Sequence, residues 1–308
     1  MTELIPMEIN RDAQIDTDQV RDVGRSGGGG FGGGGGLPIP IPSGWVGLVV
    51  LALLVIGGLI GGNTLMGGGG DPGQETPVEC PVGDPNRLND AKCRNALYVN
   101  SIQDYWTDAS PQNFGTPYQE SDTVFFEQAV NTACGPADSG VGPFYCPADD
   151  LIYIDLSFWD QLATQLGATG AFAQPYVLAH EYGHHMQDIL GTEAKVAAAR
   201  EANPGAANEL SVMMELQADC YAGAWARNAA LTDDPTGKPL FTSITEQDIN
   251  EALDAAAAVG DDAIQKKMGG PVDESQFTHG SSADRQKWFK QGYNTGDPKT
   301  CDTFGGAI

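Results

Sequence analysis

Hydrophobic and polar positions fall into three regimes along the chain. Residues 1–44 show no apolar period. A polar, acidic opening (MEINRDAQIDTDQVRD) runs into RSGGGGFGGGGG and then LPIPIPSG. Glycine runs cannot recover their ordering entropy by burial, and the proline-rich piece joins neither helix nor sheet ladder, so the region reads as disordered. Residues 45–62 (WVGLVVLALLVIGGLIGG) then run without a charge or a polar face. At about 1.5 Å per residue they match a hydrocarbon core of about 30 Å, and Trp45 stands at one end as interfacial tryptophans do. The stretch predicts one transmembrane helix. Residues 63–79 (NTLMGGGGDPGQETPVE) predict a flexible linker.

From residue 80 to 308 the pattern becomes that of a folded domain. Residues 98–109 (YVNSIQDYWTDA) have helical spacing, while 122–130 (DTVFFEQAV) and 151–156 read as strands. A helix is predicted over 174–189, with Pro175 in its first turn and Gly191 past its end. Others are predicted over 208–228, over 245–258 with Thr245 and Asp248 as caps, and over 281–291. The sum is an α+β domain, mainly helical with a small sheet, and long enough to bury its own core.

Charge narrows the function. The net charge is −25 with only 16 Lys and Arg, which argues against nucleic acid, since phosphate binding needs clustered basic residues. Arg11, Arg21 and Arg25 precede the apolar stretch and no basic residue follows it until Arg87. That bias predicts a single-pass protein of the cell membrane, with the N-terminus cytoplasmic and the large domain extracytoplasmic. All six cysteines (Cys80, Cys93, Cys134, Cys146, Cys220 and Cys301) lie on the outer side, and an even set there predicts disulfides. Nearness favours Cys80–Cys93 and Cys134–Cys146, leaving Cys220–Cys301. No Cys-x-x-Cys pair suggests thiolate zinc.

The chemistry concentrates at 178–188 (LAHEYGHHMQD), which holds three of the four histidines. His180 and His184 are four apart and share a helix face, so two imidazoles can reach one ion at about 2.0–2.1 Å. Glu181 is on the adjoining strip, placed to meet a water on the metal, as in the H-E-x-x-H arrangement of zinc peptidases. Gly183 is small where the helix must pack closely. A catalytic zinc needs a third ligand and one open position. In MELQADCYAGAWA, Glu215 and Asp219 are again four apart. Glu215 is the candidate third ligand. Asp219 is the candidate acceptor for a ligand histidine's spare N–H. His185, about 100° round the helix, is expected to be structural.

Several blocks carry a resemblance: TACGPADSGVGPFYCPADDLIYIDLSF, FAQPYVLAHEYGHHMQDILG, ELQADCYAGAWA, HGSSADRQKWFKQGY and GDPKTCDTF. Together they resemble the neutral zinc metallopeptidase family of bacterial membrane-anchored proteins. The resemblance implies a zincin-like fold, Zn2+ on His180, His184 and Glu215, and a catalytic Glu181. The expected function is hydrolysis of a peptide or protein substrate by a zinc-activated water, with Glu181 as general base. His279 is a candidate oxyanion donor, with Arg285 and Tyr176 as alternatives, against the commoner role of a loop histidine. The strand at 151–155 is expected to pair with an extended substrate. Two rivals share the motif: a non-catalytic membrane-anchored scaffold protein with a structural metal, and a zinc amidase acting on cell-wall peptides. An intact Glu181 and only three candidate ligands argue against the first.

Overall fold

The structure, a computed structural model, describes residues 7–24 and 75–308. The apolar stretch 45–62 and the expected linker up to residue 74 lie outside the described residues. Among the described residues no helix is long and apolar enough to cross a membrane.

The strands in chain order are β1 (Glu8–Ile9), β2 (Val20–Gly24), β3 (Thr123–Phe126), β4 (Ala129–Thr132), β5 (Gly135–Asp138), β6 (Phe144–Cys146), β7 (Leu151–Asp155) and β8 (Phe241–Ser243). The main helices are α1 (Ala91–Phe114), α2 (Ala173–Ile189), α3 (Thr192–Ala202), α4 (Ala207–Asn228), α5 (Glu246–Ala258), α6 (Asp261–Lys267) and α7 (Ser282–Thr295). The principal sheet has the order β2-β3-β7-β6. Its first three strands are parallel, and β6 closes it antiparallel to β7. A hairpin of β4 and β5 stands beside it, tied to β6 by Cys134–Cys146. β1 pairs with β8 apart from the main sheet.

Local chemistry explains the ends of these elements. Asp90 caps α1 by accepting from the Lys92 and Cys93 amides, and Gly115 stops it in the left-handed region at φ 69°. α1 thus runs well beyond the expected 98–109. Its Leu97, Ile102 and Trp106 are fully buried in the main core. Thr245 and Asp248 form the expected capping box on α5.

α4 and α7 meet at two glycines. A Cβ on Gly292 would lie 1.9 Å from the Cys220 carbonyl oxygen, and one on Gly223 would lie 2.1 Å from that of Phe289. Only glycine permits this approach. Cys220–Cys301 ties α4 to the segment that follows α7, and Cys80–Cys93 ties the start of the domain to α1. All three expected pairings are therefore present.

The N-terminal reading needs correction. Residues 7–24 are not a disordered tail. β2 is a strand of the main sheet, with Val20 opposite Thr123 and Arg21 opposite Val124. Met7, Ala13, Val20 and Val23 are buried. Asn100 on α1 accepts from the Asp16 amide at 2.8 Å and donates to the Asp16 carbonyl at 2.9 Å. The segment is short and mixes charge with valine, so its pattern alone does not read as a strand. Its partners are about 100 residues away. The Thr76 amide also donates to the Asp22 carbonyl at 2.7 Å, so the chain returns to the edge from which it leaves. A single crossing by 45–62 would put residues 7–24 and 80–308 on opposite faces of a bilayer. Strands so separated cannot pair, and the expected cytoplasmic N-terminus conflicts with β2.

A second correction concerns β7, the strand expected to bind substrate. Both its edges are occupied, by β3 and β6. The free edge nearest the histidine helix belongs to β6.

If β2 is part of the fold, Val23→Asp introduces a carboxylate into a site only 3% exposed. The expected cost is about 3 kcal/mol. That corresponds to a fall in Tm of about 6 °C or more for a domain of this size. An unchanged Tm would place residues 7–24 outside the folded body.

Candidate metal centre

α2 is buried on nearly every side because it lies between the main sheet and α4. Its sheet side is held by Tyr182, whose hydroxyl donates to the Ser121 carbonyl at 2.8 Å and sits 3.0 Å from Thr123 Oγ1. Its opposite side carries His180 and His184 towards α4. The helices approach closely at Gly183, where a Cβ would lie 2.9 Å from Ala218 Cα. That small residue is what lets the two pairs spaced at four residues face each other.

His180, His184 and Glu215 converge, each with one donor atom within 4.8 Å of the others. His180 Nε2 lies 3.1 Å from Glu215 Oε2 and 3.2 Å from His184 Nε2. His184 Nε2 lies 3.5 Å from Glu215 Oε1. Ligands at about 2.0–2.1 Å on a tetrahedral ion stand about 3.3 Å apart, so the set fits zinc.

The remaining imidazole nitrogens are spoken for. His180 Nδ1 lies 2.9 Å from Asp219 Oδ1, and His184 Nδ1 lies 2.8 Å from Gln187 Oε1. With N–H on both Nδ1 atoms, both Nε2 lone pairs point at the common centre. Gln187 was not anticipated, although its position three residues after His184 is the spacing that would have suggested it.

Charge in the cluster is unbalanced. Burial would push the His184 pKa down, but the Glu215 carboxylate, followed by Glu181, lifts it to about 10. Burial would raise Glu215, yet the His184 charge and hydrogen bonds from both imidazoles hold it well below the usual carboxylate range. The pocket therefore draws in positive charge, and a proton competes with a metal ion for the same lone pairs.

Asp219 is wholly buried and collects donors from three residues on two helices, α2 and α7. Besides His180 it accepts from the Tyr176 hydroxyl at 2.6 Å, and from Arg285 Nε at 2.7 Å and Nη2 at 2.9 Å. Arg285 and His180 outweigh burial and keep its pKa low. Tyr176 and Arg285 are thus anchors of Asp219, which takes them out of the expected oxyanion role. Sixty-six residues separate Asp219 from Arg285, so no spacing rule links them.

Glu181 stands beside the cluster but outside it. Its Oε2 accepts the backbone N–H of Tyr145, on β6, at 3.1 Å. Burial raises its pKa, against the pull of His180 and His184. His185 points to the sheet side, with Nε2 2.7 Å from the Gln119 carbonyl oxygen and Nδ1 3.2 Å from the Tyr145 hydroxyl. Burial lowers its pKa, so it is a neutral structural residue.

His279 lines the same cavity, of about 210 Å³, as His180, Glu181, His184 and Glu215. Its Nδ1 lies 3.2 Å from Asp261 Oδ1. Asp261 Oδ2 also accepts the amides of Thr278, His279 and Gly280 and so fixes this loop.

Comparison with known proteins agrees with this geometry. Residues 10–304 match the family described as "putative neutral zinc metallopeptidase". The chain is 46% identical over 232 residues to an uncharacterized protein of Mycobacterium tuberculosis, covering 74% of this chain and 75% of that protein. It is 39% identical over 269 residues to the uncharacterized protein YpfJ of Escherichia coli K12, covering 87% of this chain and 90% of the relative. No solved structure matches the chain.

Metal analysis tests the ligand set. Glu215→Ala is expected to lose stoichiometric zinc. Asp219→Asn is expected to retain it with affinity weakened about 10–100-fold in a chelator competition. Unchanged zinc content in Glu215→Ala would place the third ligand elsewhere.

Proposed function

The chain belongs to the neutral zinc metallopeptidase family, and from that premise we propose that it hydrolyses peptide bonds in the cavity between α2, α4 and β6. The observation that carries this reading is Glu181, held by the Tyr145 amide beside three converging ligands yet not one of them. A structural metal is usually closed by four protein ligands. Among the described residues three converge, and a scaffold has no use for Glu181.

Zinc, when bound by His180, His184 and Glu215, supplies Lewis acidity and a lowered water pKa. Everything else falls to the chain's own residues. Glu181, its pKa raised by burial, takes the proton from the attacking water and delivers it to the leaving amine. The Tyr145 N–H keeps that carboxylate in one orientation. Asp219 and Gln187 hold the two imidazoles. His279 is the donor for the developing oxyanion: its Nδ1 side is engaged by Asp261, which leaves Nε2 for the cavity it lines. A substrate strand lies along the free edge of β6.

We also propose that the domain works outside the cytoplasm, as its three disulfides suggest. Membrane attachment through residues 45–62 remains part of the proposal, amended to an anchor that does not separate residues 7–24 from the domain they pair with. A cysteine placed at exposed Asp12 in whole cells should react with an impermeant maleimide. Labelling only after lysis would return the N-terminus to the cytoplasm.

Catalysis is tested with a broad peptide library, which also reveals a preference for cell-wall peptides if the amidase reading is right. Glu181→Gln should keep zinc and lose about 10²–10⁴-fold in kcat. His279→Ala should lose about 10²-fold or more, mainly in kcat. Retained hydrolysis in Glu181→Gln would remove that residue from the base role.

A further inference from the structure

One guanidinium in the cavity wall has no part in the centre described above. Arg200, on α3, lines the cavity and is only 8% exposed. Its Nη2 donates to Ser211 Oγ at 2.7 Å, and its Nε has no hydrogen-bond partner. Among the described residues no carboxylate lies within ion-pair distance of it. Glu193, two turns earlier on the same face of α3, also lines the cavity without reaching it. Arg285, the other cavity guanidinium, is fully engaged by Asp219. Burying a cation with one neutral partner is costly, and buried charges are ordinarily paired. Arg285 is satisfied by its neighbours, whereas Arg200 meets only one neutral oxygen and faces a cavity. Burial pushes the Arg200 pKa down, against the fields of Glu193 and Glu215.

The position of Arg200 relative to the metal ligands sets its reach. Ser211, which holds it, precedes Glu215 by one turn on the same face of α4. That turn rises about 6 Å. An extended peptide covers about 3.3–3.6 Å per residue, so the guanidinium stands within about two residues of the bond to be cut. Phe158, Leu166, Val177 and Ile264 give the cavity an apolar wall as well.

We propose that Arg200 is the carboxylate-binding residue of the substrate site, taking an acidic side chain or a free C-terminal carboxylate within about two residues of the scissile bond. The proposal rests on the peptidase reading for its substrate, though not for the binding itself.

The test uses full-length protein and matched fluorogenic peptides carrying Glu or Gln at each of the two positions on either side of the scissile bond. Each peptide is made with a free and an amidated C-terminus, which separates the two sources of the carboxylate. The wild type should favour one carboxylate form by at least about tenfold in kcat/KM, equivalent to about 1.4 kcal/mol, with the difference mainly in KM. Arg200→Gln should bring that ratio close to one, and Arg200→Lys should restore part of it. A purely structural arginine would slow all peptides alike and leave the ratio intact. A wild-type ratio of one, or the same ratio in Arg200→Gln, overturns the proposal.

A second arm measures binding of the same peptides to zinc-loaded Glu181→Gln by calorimetry, with and without Arg200→Gln. If no peptide is cleaved, the peptidase reading fails and this arm decides alone. An Arg200-dependent preference of about tenfold in Kd sustains the carboxylate site. Equal binding, or none, removes it.

Discussion

The carboxylate of Asp219 has no contact with solvent, yet it is held ionised by His180, Tyr176 and Arg285. Left without partners, it would cost several kcal/mol and take up a proton. The site is therefore stable only when α2, α4 and α7 are all in place, since each contributes to the same pair of oxygens. The glycine contact between α4 and α7 and the Cys220–Cys301 bond look remote from the chemistry. They fix the distance at which Arg285 can reach Asp219, and through it the orientation of His180. Gly183 does the same for the spacing of α2 and α4. Helix packing, charge compensation and ligand geometry are here one constraint seen at three scales.

Much of this was legible in the residues. A spacing of four, repeated as His180/His184 and Glu215/Asp219, is a local property that helix geometry converts directly into a shared face. The caps of α5 and the pairings Cys80–Cys93 and Cys134–Cys146 follow from similarly short-range signals, and Cys220–Cys301 follows as the remaining pair. Three features were not legible, for one reason: each depends on residues far apart in the chain. The role of Arg285 needs α7 to be laid against α4. β2 needs β3, and its five residues carry too little periodicity to announce themselves. The interior position of β7 is decided by β6 arriving on its other edge. α3 was missed because its alanine-rich, polar stretch shows no strong apolar stripe, and Arg200 went unnoticed with it.

The electrostatics of the cavity also differ from those of the whole chain. The strong overall acidity belongs to the surface. Inside the cavity, Glu181 and Glu215 face two histidines and the place of a divalent cation, while Arg285 and Asp219 cancel. A loaded centre is close to neutral, and of the two further charged side chains in the wall, Glu193 and Arg200, only Arg200 is a cation.

The long reach of the N-terminal strands affects how the protein is made. β1 and β2 leave the ribosome well before their partners: β3 follows β2 by about 100 residues, and β8 follows β1 by about 230. At about 5–20 residues per second, β2 waits roughly 5–20 s and β1 roughly 10–45 s for a mate. These early strands are thus among the last elements to be seated. Until then the edge of β3 is open, and the nascent chain passes through a state in which a sheet edge must be shielded from other chains.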